Sequence, residues 1–140
     1  MTPLRGACLC GDVRYEIRAG LEAITLCHCS MCRKAQGSAF AAVAPVRTAD
    51  FHLLSGESSL AAFESSPGKE RLFCRRCGSP IYSRRRAEPD TLRVRIGTLE
   101  TPVGRRPDAH IFVADRADWD DRLDQVPAYP GFEPARDRPS

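Results

Sequence analysis

Seven cysteines stand in three groups along 140 residues, and their spacing is that of metal ligands. Cys74-Arg75-Arg76-Cys77-Gly78 has the C-x-x-C form, which lets a chain turn so that two thiolates reach one ion at about 2.3 Å in a tetrahedron. Cys8-Leu9-Cys10-Gly11 is a tighter pair, also followed by glycine. Glycine there allows a sharp turn and leaves amide N–H groups to face the thiolate. Two sulfurs cannot complete a tetrahedron, so the two glycine-terminated pairs are natural partners. Cys8, Cys10, Cys74 and Cys77 are expected to form a closed, structural zinc site.

The third group is Cys27-His28-Cys29-Ser30-Met31-Cys32. Alternation along an extended segment puts Cys27 and Cys29 on one side, and the turn that follows returns Cys32 to it. Three protein ligands and a vacant fourth position describe a catalytic zinc rather than a structural one. Three thiolates leave the ion a net charge of −1, which blunts its Lewis acidity and favours a soft fourth ligand such as a substrate thiolate. The expectation is two zinc ions per chain, with Cys27, Cys29 and Cys32 acting as ligands and not as nucleophiles. Alternatives stay open at this point. His28 could supply a fourth ligand, although extended backbone points it away from its neighbours. The ligand types also suit an iron–sulfur cluster. Both metals could be structural, in a zinc-stabilised binding module without catalytic activity. A redox role for Cys74 and Cys77 needs a strand–CxxC–helix context, whereas Gly78, Ser79 and Pro80 follow.

The elements that must position these groups are short. Val13, Tyr15 and Ile17 alternate with charged residues, as do Leu92, Val94 and Ile96, which predicts two half-buried strands. Further strands are expected at Ala23–Leu26, at Ser38–Ala44 (ended by Pro45), at Arg71–Phe73, at Pro80–Ser83 and at Ile111–Val113. Phe51–Leu54 and Leu60–Phe63 flank Ser55-Gly56-Glu57 and read as a hairpin. Helix is expected only at Cys29–Gln36, with Gly37 as its stop, and as a short turn within Ala117–Gln125. Eleven prolines and ten glycines suit such a turn-rich chain. The reading is mainly β, one domain over residues 1–130, with an irregular tail over 131–140.

Hydrophobic residues make up 42%, enough for a modest core that metal clips would support. The net charge of +3 rests on 19 arginines and 2 lysines among 18 acids, with no basic run longer than Arg84-Arg85-Arg86. That pattern lacks the concentrated stripe of a nucleic-acid binder, and most arginines are expected on solvated strand faces. The longest apolar stretch, Ala39 to Val46, is far short of the ~20 residues that span a bilayer, and the N-terminus has no apolar signal segment. A cytoplasmic protein is expected, in a compartment where clustered thiols stay reduced.

Three segments carry a resemblance: Gly6 to Glu16, Cys27 to Phe40 and Phe73 to Tyr82, with His110-Ile-Phe-Val113, Trp119 and the Asp124–Tyr129 stretch beyond them. They resemble the glutathione-dependent formaldehyde-activating family, the GFA or CENP-V type domain, over residues 6 to about 130. The resemblance implies an Mss4-like fold of short antiparallel sheets clipped by zinc. It implies a structural zinc on Cys8, Cys10, Cys74 and Cys77 and a second on Cys27, Cys29 and Cys32. It also implies a carbon–sulfur lyase type of activity, in which glutathione adds to formaldehyde to give S-(hydroxymethyl)glutathione. A small thiol and an aldehyde are then the expected partners. Fold alone does not fix the substrate. His28 is the first candidate for a general base beside the second site, while His52 and His110 read as structural. Arg33, Lys34 and Arg84–Arg86 are candidates to hold glutathione carboxylates, and Ser38 and Phe40 candidates to line a pocket.

Overall fold

The computed structural model describes residues 2–134. Ten strands and one short helix are arranged as two sheets. Strands β1 (Leu4–Ala7), β2 (Arg14–Ile17) and β5 (Phe51–Ser55) form the smaller sheet in the order β1-β2-β5. The larger sheet contains β3 (Thr25–Cys27), β4 (Ala41–Arg47), β6 (Leu60–Ser66), β7 (Lys69–Cys74), β8 (Pro80–Arg85), β9 (Glu88–Arg95) and β10 (Ala109–Ile111). Its order is β10-β3-β4-β9-β8-β7-β6. All pairings are antiparallel except β10 with β3, which is parallel. The mainly β expectation is met.

The core lies between the sheets, because the apolar residues of each strand fall at period two and only one face can use them. Val13, Tyr15 and Ile17 are fully buried there and meet Ala44, Ile81, Leu92 and Val94 from the larger sheet. A satellite cluster of Cys27, Cys32, Ala41 and Val43 sits under the third cysteine group. Helix α1 (Ser30–Gln36) begins at Cys29, whose sulfur accepts the Cys32 amide as a capping serine would. It ends at Gly37, whose left-handed backbone (φ 60°) lets its N–H reach the Arg33 carbonyl.

Two local expectations are corrected. β5 and β6 do not form a hairpin: β5 pairs with β2 and β6 with β7, so the chain changes sheets at Gly56. Gly56 has φ 85°, and its backbone passes so close to that of Asp12 and Val13 that no side chain fits. Pro45 does not end its strand. Beyond Val43 the β3 side of β4 is open, so a residue without an N–H is tolerated there. The short turn expected within Ala117–Gln125 is present at Trp119, where the Asp120 amide donates to the Ala117 carbonyl, and Leu123–Gln125 adds a 3₁₀ turn. In the expected irregular tail, 131–134 lack regular secondary structure, while 135–140 lie outside the described residues.

Gly6 faces Tyr15 across β1 and β2, and the tyrosine hydroxyl lies 2.6 Å from Thr98 Oγ1. A Cβ at Gly6 would overlap the Tyr15 ring, whereas one at Gly97 would meet nothing within 4 Å. Gly6→Ala is expected to lose about 1–3 kcal/mol of stability by overpacking. Gly97→Ala should stay within about 0.5 kcal/mol. Urea titration followed by circular dichroism measures both.

Candidate metal centres and the cavity beside them

The two glycine-terminated cysteine pairs meet although Cys10 and Cys74 stand 64 positions apart. Cys8, Cys10, Cys74 and Cys77 place their sulfurs within 4.8 Å of one another. The Cys8–Cys10 and Cys10–Cys74 separations are 3.5 and 3.8 Å. Ligands about 2.3 Å from a tetrahedral ion lie about 3.8 Å apart, so this donor set fits zinc. Each pair turns at its glycine, Gly11 (φ 83°) and Gly78 (φ 81°), in the backbone region that favours glycine. The Val13 amide donates to Cys8 Sγ at 3.2 Å. Ser79 ties the two pairs together: its hydroxyl accepts the Leu9 amide at 2.9 Å and lies 3.3 Å from Cys77 Sγ.

Proton affinities inside this group are pushed apart. The Ser79 hydroxyl, followed by backbone amides, brings Cys77 down to about 5. Cys10 receives the Asp12 amide, which favours its thiolate, yet burial and the three neighbouring sulfurs push it up to about 12. One thiolate therefore forms at the expense of the next, the behaviour of like charges packed together without a cation. A divalent ion removes that conflict.

Cys27, Cys29 and Cys32 also converge, with sulfurs within 4.8 Å. The end of β3 supplies the first and the start of α1 the other two. Burial pushes Cys27 up to about 12, with Cys32 adding to the effect. Cys29 is drawn below its ordinary value, since the Cys32 amide and the adjacent sulfurs outweigh the opposing effect of burial. No carboxylate or histidine joins these three among the described residues.

A cavity of about 440 Å³ opens directly onto this second group. Its floor is one face of the larger sheet, and strand register explains what lines it. Arg71 lies opposite Ser83, Ser83 opposite Arg93, and Arg93 opposite Pro45. In the flanking rows Lys69 lies opposite Arg85, and Arg95 opposite Val43, which lies opposite Thr25. Five basic side chains, Lys69, Arg71, Arg85, Arg93 and Arg95, thus share the cavity with Cys27, Cys29 and Cys32. Both terminal nitrogens of Arg71 stand 3.9 Å from Cys32 Sγ. Arg95, only 4% exposed, donates to Ser83 Oγ, to the Arg93 carbonyl and to Gln36 Oε1. Burial, with the charge of Arg71 adding to it, holds the Arg95 guanidinium and the Lys69 ammonium below their ordinary values.

These cations are exceptions to the expectation that most arginines lie on solvated faces, which holds for the greater part of the described ones. Arg93 and Arg95 do alternate with Leu92 and Val94, but the face they occupy is the cavity floor and not open solvent. Of the proposed carboxylate holders only Arg85 lines the cavity. Arg33 donates to the Asp115 carbonyl, while Arg84 and Arg86 pair with Glu70 and Glu64. Ser38 and Phe40 are not in the lining. Lys69, Arg71, Arg93 and Arg95 were missed because periodicity marks a polar face without telling whether water or a ligand covers it.

His28 is fully buried on the opposite side of β3. Its Nε2 lies 2.8 Å from His110 Nδ1, and its Nδ1 lies 3.1 Å from Asp120 Oδ2. Its ring packs against Phe40 at 5.4 Å. The histidine that sequence favoured as a base is thus a strut between β3, β10 and the following loop, and burial holds it below its ordinary value in the neutral form. His28→Ala is expected to cost about 2–4 kcal/mol in denaturant titration, by leaving a cavity between Phe40, His110 and Asp120.

Known proteins resemble this chain in sequence and in fold. The family model described as glutathione-dependent formaldehyde-activating enzyme matches residues 3–115. A Halomonas elongata protein named for that activity is 27% identical over 124 residues, which cover 83% of this chain and 78% of that protein. A Schizosaccharomyces pombe protein named as an uncharacterized lyase is 28% identical over 82 residues, 59% of this chain and 58% of that protein. A Rhodobacter sphaeroides protein of known crystal structure matches with a TM-score of 0.61 at 29% identity, covering 74% of this chain and 97% of the other. Among the described residues no helix is long and apolar enough to cross a membrane. With all seven cysteines inside the matched segment, the chain belongs to the glutathione-dependent formaldehyde-activating enzyme family.

Proposed function

We propose that the chain is a zinc-dependent, carbon–sulfur lyase-like enzyme that joins a small thiol to formaldehyde or a similar aldehyde at the three-cysteine site. The functional unit is residues 1–130, working in a reducing compartment such as the cytoplasm, with glutathione as the thiol that the relatives' names indicate. The observation that carries the reading is the contrast between the two cysteine groups. Four sulfurs close on themselves, while three open onto a cavity of tripeptide scale. A zinc ion held by Cys27, Cys29 and Cys32 would supply thiol acidification and a place for the thiolate.

The chain's own residues account for the rest. In the addition a sulfur–carbon bond forms, the carbonyl π bond opens, and the proton given up by the thiol ends on the new alkoxide oxygen. Arg71 beside Cys32, and Arg95 behind it, offset the negative charge of the sulfur cluster. Lys69, lining the same cavity with a weakened hold on its proton, is placed to return one to the product oxygen. The apolar walls, including Met31, Pro45 and Phe112, limit water around the aldehyde.

Elemental analysis should give two zinc ions per chain. Cys74→Ser is expected to lose one and to abolish cooperative unfolding, because that site joins distant segments. Cys29→Ala should lose the other with the fold retained. Exchange spectroscopy of formaldehyde with glutathione should show acceleration by the zinc-loaded protein and none by Cys29→Ala. Failure of the wild type to accelerate exchange, with both zinc ions inert to millimolar glutathione, would replace the enzyme reading with that of a zinc-stabilised binding module.

A further inference from the structure

We infer that the cavity takes a thiol bearing at least two anionic groups, and binds one without a free ammonium more tightly than glutathione itself. This rests on the thiol-binding reading above and narrows its substrate class. The cavity carries five cationic side chains, and no aspartate or glutamate is among the residues that line it. The acids nearby are held in ion pairs, Glu70 with Arg84, Glu64 with Arg86 and Glu88 with the cavity's own Arg93.

Charge counting assigns the cations. Four thiolates around a divalent ion carry −2, and Arg71, 3.9 Å from Cys32, with the buried Arg95, which feels the charge of all three cysteines, matches that charge. Lys69, Arg85 and Arg93 remain. Lys69 and Arg85 have no ion pair within 4 Å among the described residues. Arg93 spends one terminal nitrogen on Glu88 at 2.7 Å, while the other is buried and without a hydrogen bond. A buried guanidinium N–H without an acceptor is costly, and a ligand carboxylate or phosphate would satisfy it. Glutathione brings two carboxylates but also an ammonium, and no carboxylate in the lining receives that ammonium. A thiol di-anion lacking the amine fits the same cavity without that repulsion.

The test is calorimetric titration of the zinc-loaded protein with glutathione, N-acetylglutathione and the S-methyl derivative of each. N-acetylation removes the ammonium and keeps both carboxylates. The acetylated thiol is expected to bind about fivefold more tightly than glutathione. Arg85→Gln should erase most of that preference, and 0.5 M salt should shrink it. Equal or weaker binding of N-acetylglutathione overturns the inference, as does a preference that Arg85→Gln and Lys69→Gln both leave intact. S-methylation reports separately on the thiol: if it leaves both affinities unchanged, the sulfur is not seated at the cysteine group and the underlying reading fails, whatever acetylation does.

Discussion

The rest of the structure depends on the junction of Cys8 and Cys10 with Cys74 and Cys77. β1, β2 and β5 form a sheet too small to hold itself together, and β7 lies near the far edge of the other sheet. Four sulfurs and the Ser79 hydroxyl lock one to the other. Tyr15, Ile17 and Ile81 are buried because that lock closes the sheets face to face. A modest core with many turns gains from a tie between segments so distant in sequence, since the closing loop is long and the unfolded chain correspondingly free.

That junction also leaves the second face of the larger sheet free for chemistry. With one face given to the core, the alternate residues of β7, β8 and β9 face the three-cysteine group instead of solvent. Lys69, Arg71, Ser83, Arg85, Arg93 and Arg95 are therefore neighbours by register, although they come from three strands. A sheet holds such groups more rigidly than a loop can, which matters when guanidinium geometry is to match a ligand.

Much of this was legible in the sequence, for identifiable reasons. The glycine after each of two cysteine pairs marks a left-handed turn, and Gly11 and Gly78 adopt it. Val13, Tyr15 and Ile17 alternate strictly, so their burial followed from pattern. Cys29 at a helix start and Gly37 at its end are local signals that the structure repeats. Pairing of strands far apart was not legible. Ser55-Gly56-Glu57 looks like a hairpin locally, and only its clash-tight approach to Asp12 diverts the chain to the other sheet. The arginines of β9 read as a wet face because hydropathy cannot separate a face covered by solvent from one covered by ligand. His28 lies between two cysteines in sequence, yet strand alternation sends it to the other side, against His110 and Asp120.

The two cysteine groups differ in how much chain each encloses, and that sets an order of assembly. Cys27, Cys29 and Cys32 lie within six residues, so they are complete as soon as that hexapeptide leaves the ribosome. The four-cysteine group waits for Cys77, after more than half the chain has been made. A nascent chain therefore presents a tight three-thiolate trap before it can close its architectural one. Metal captured there early would occupy the proposed open site first, and the cavity beside it, built from β4 and β7–β9, would assemble around it afterwards.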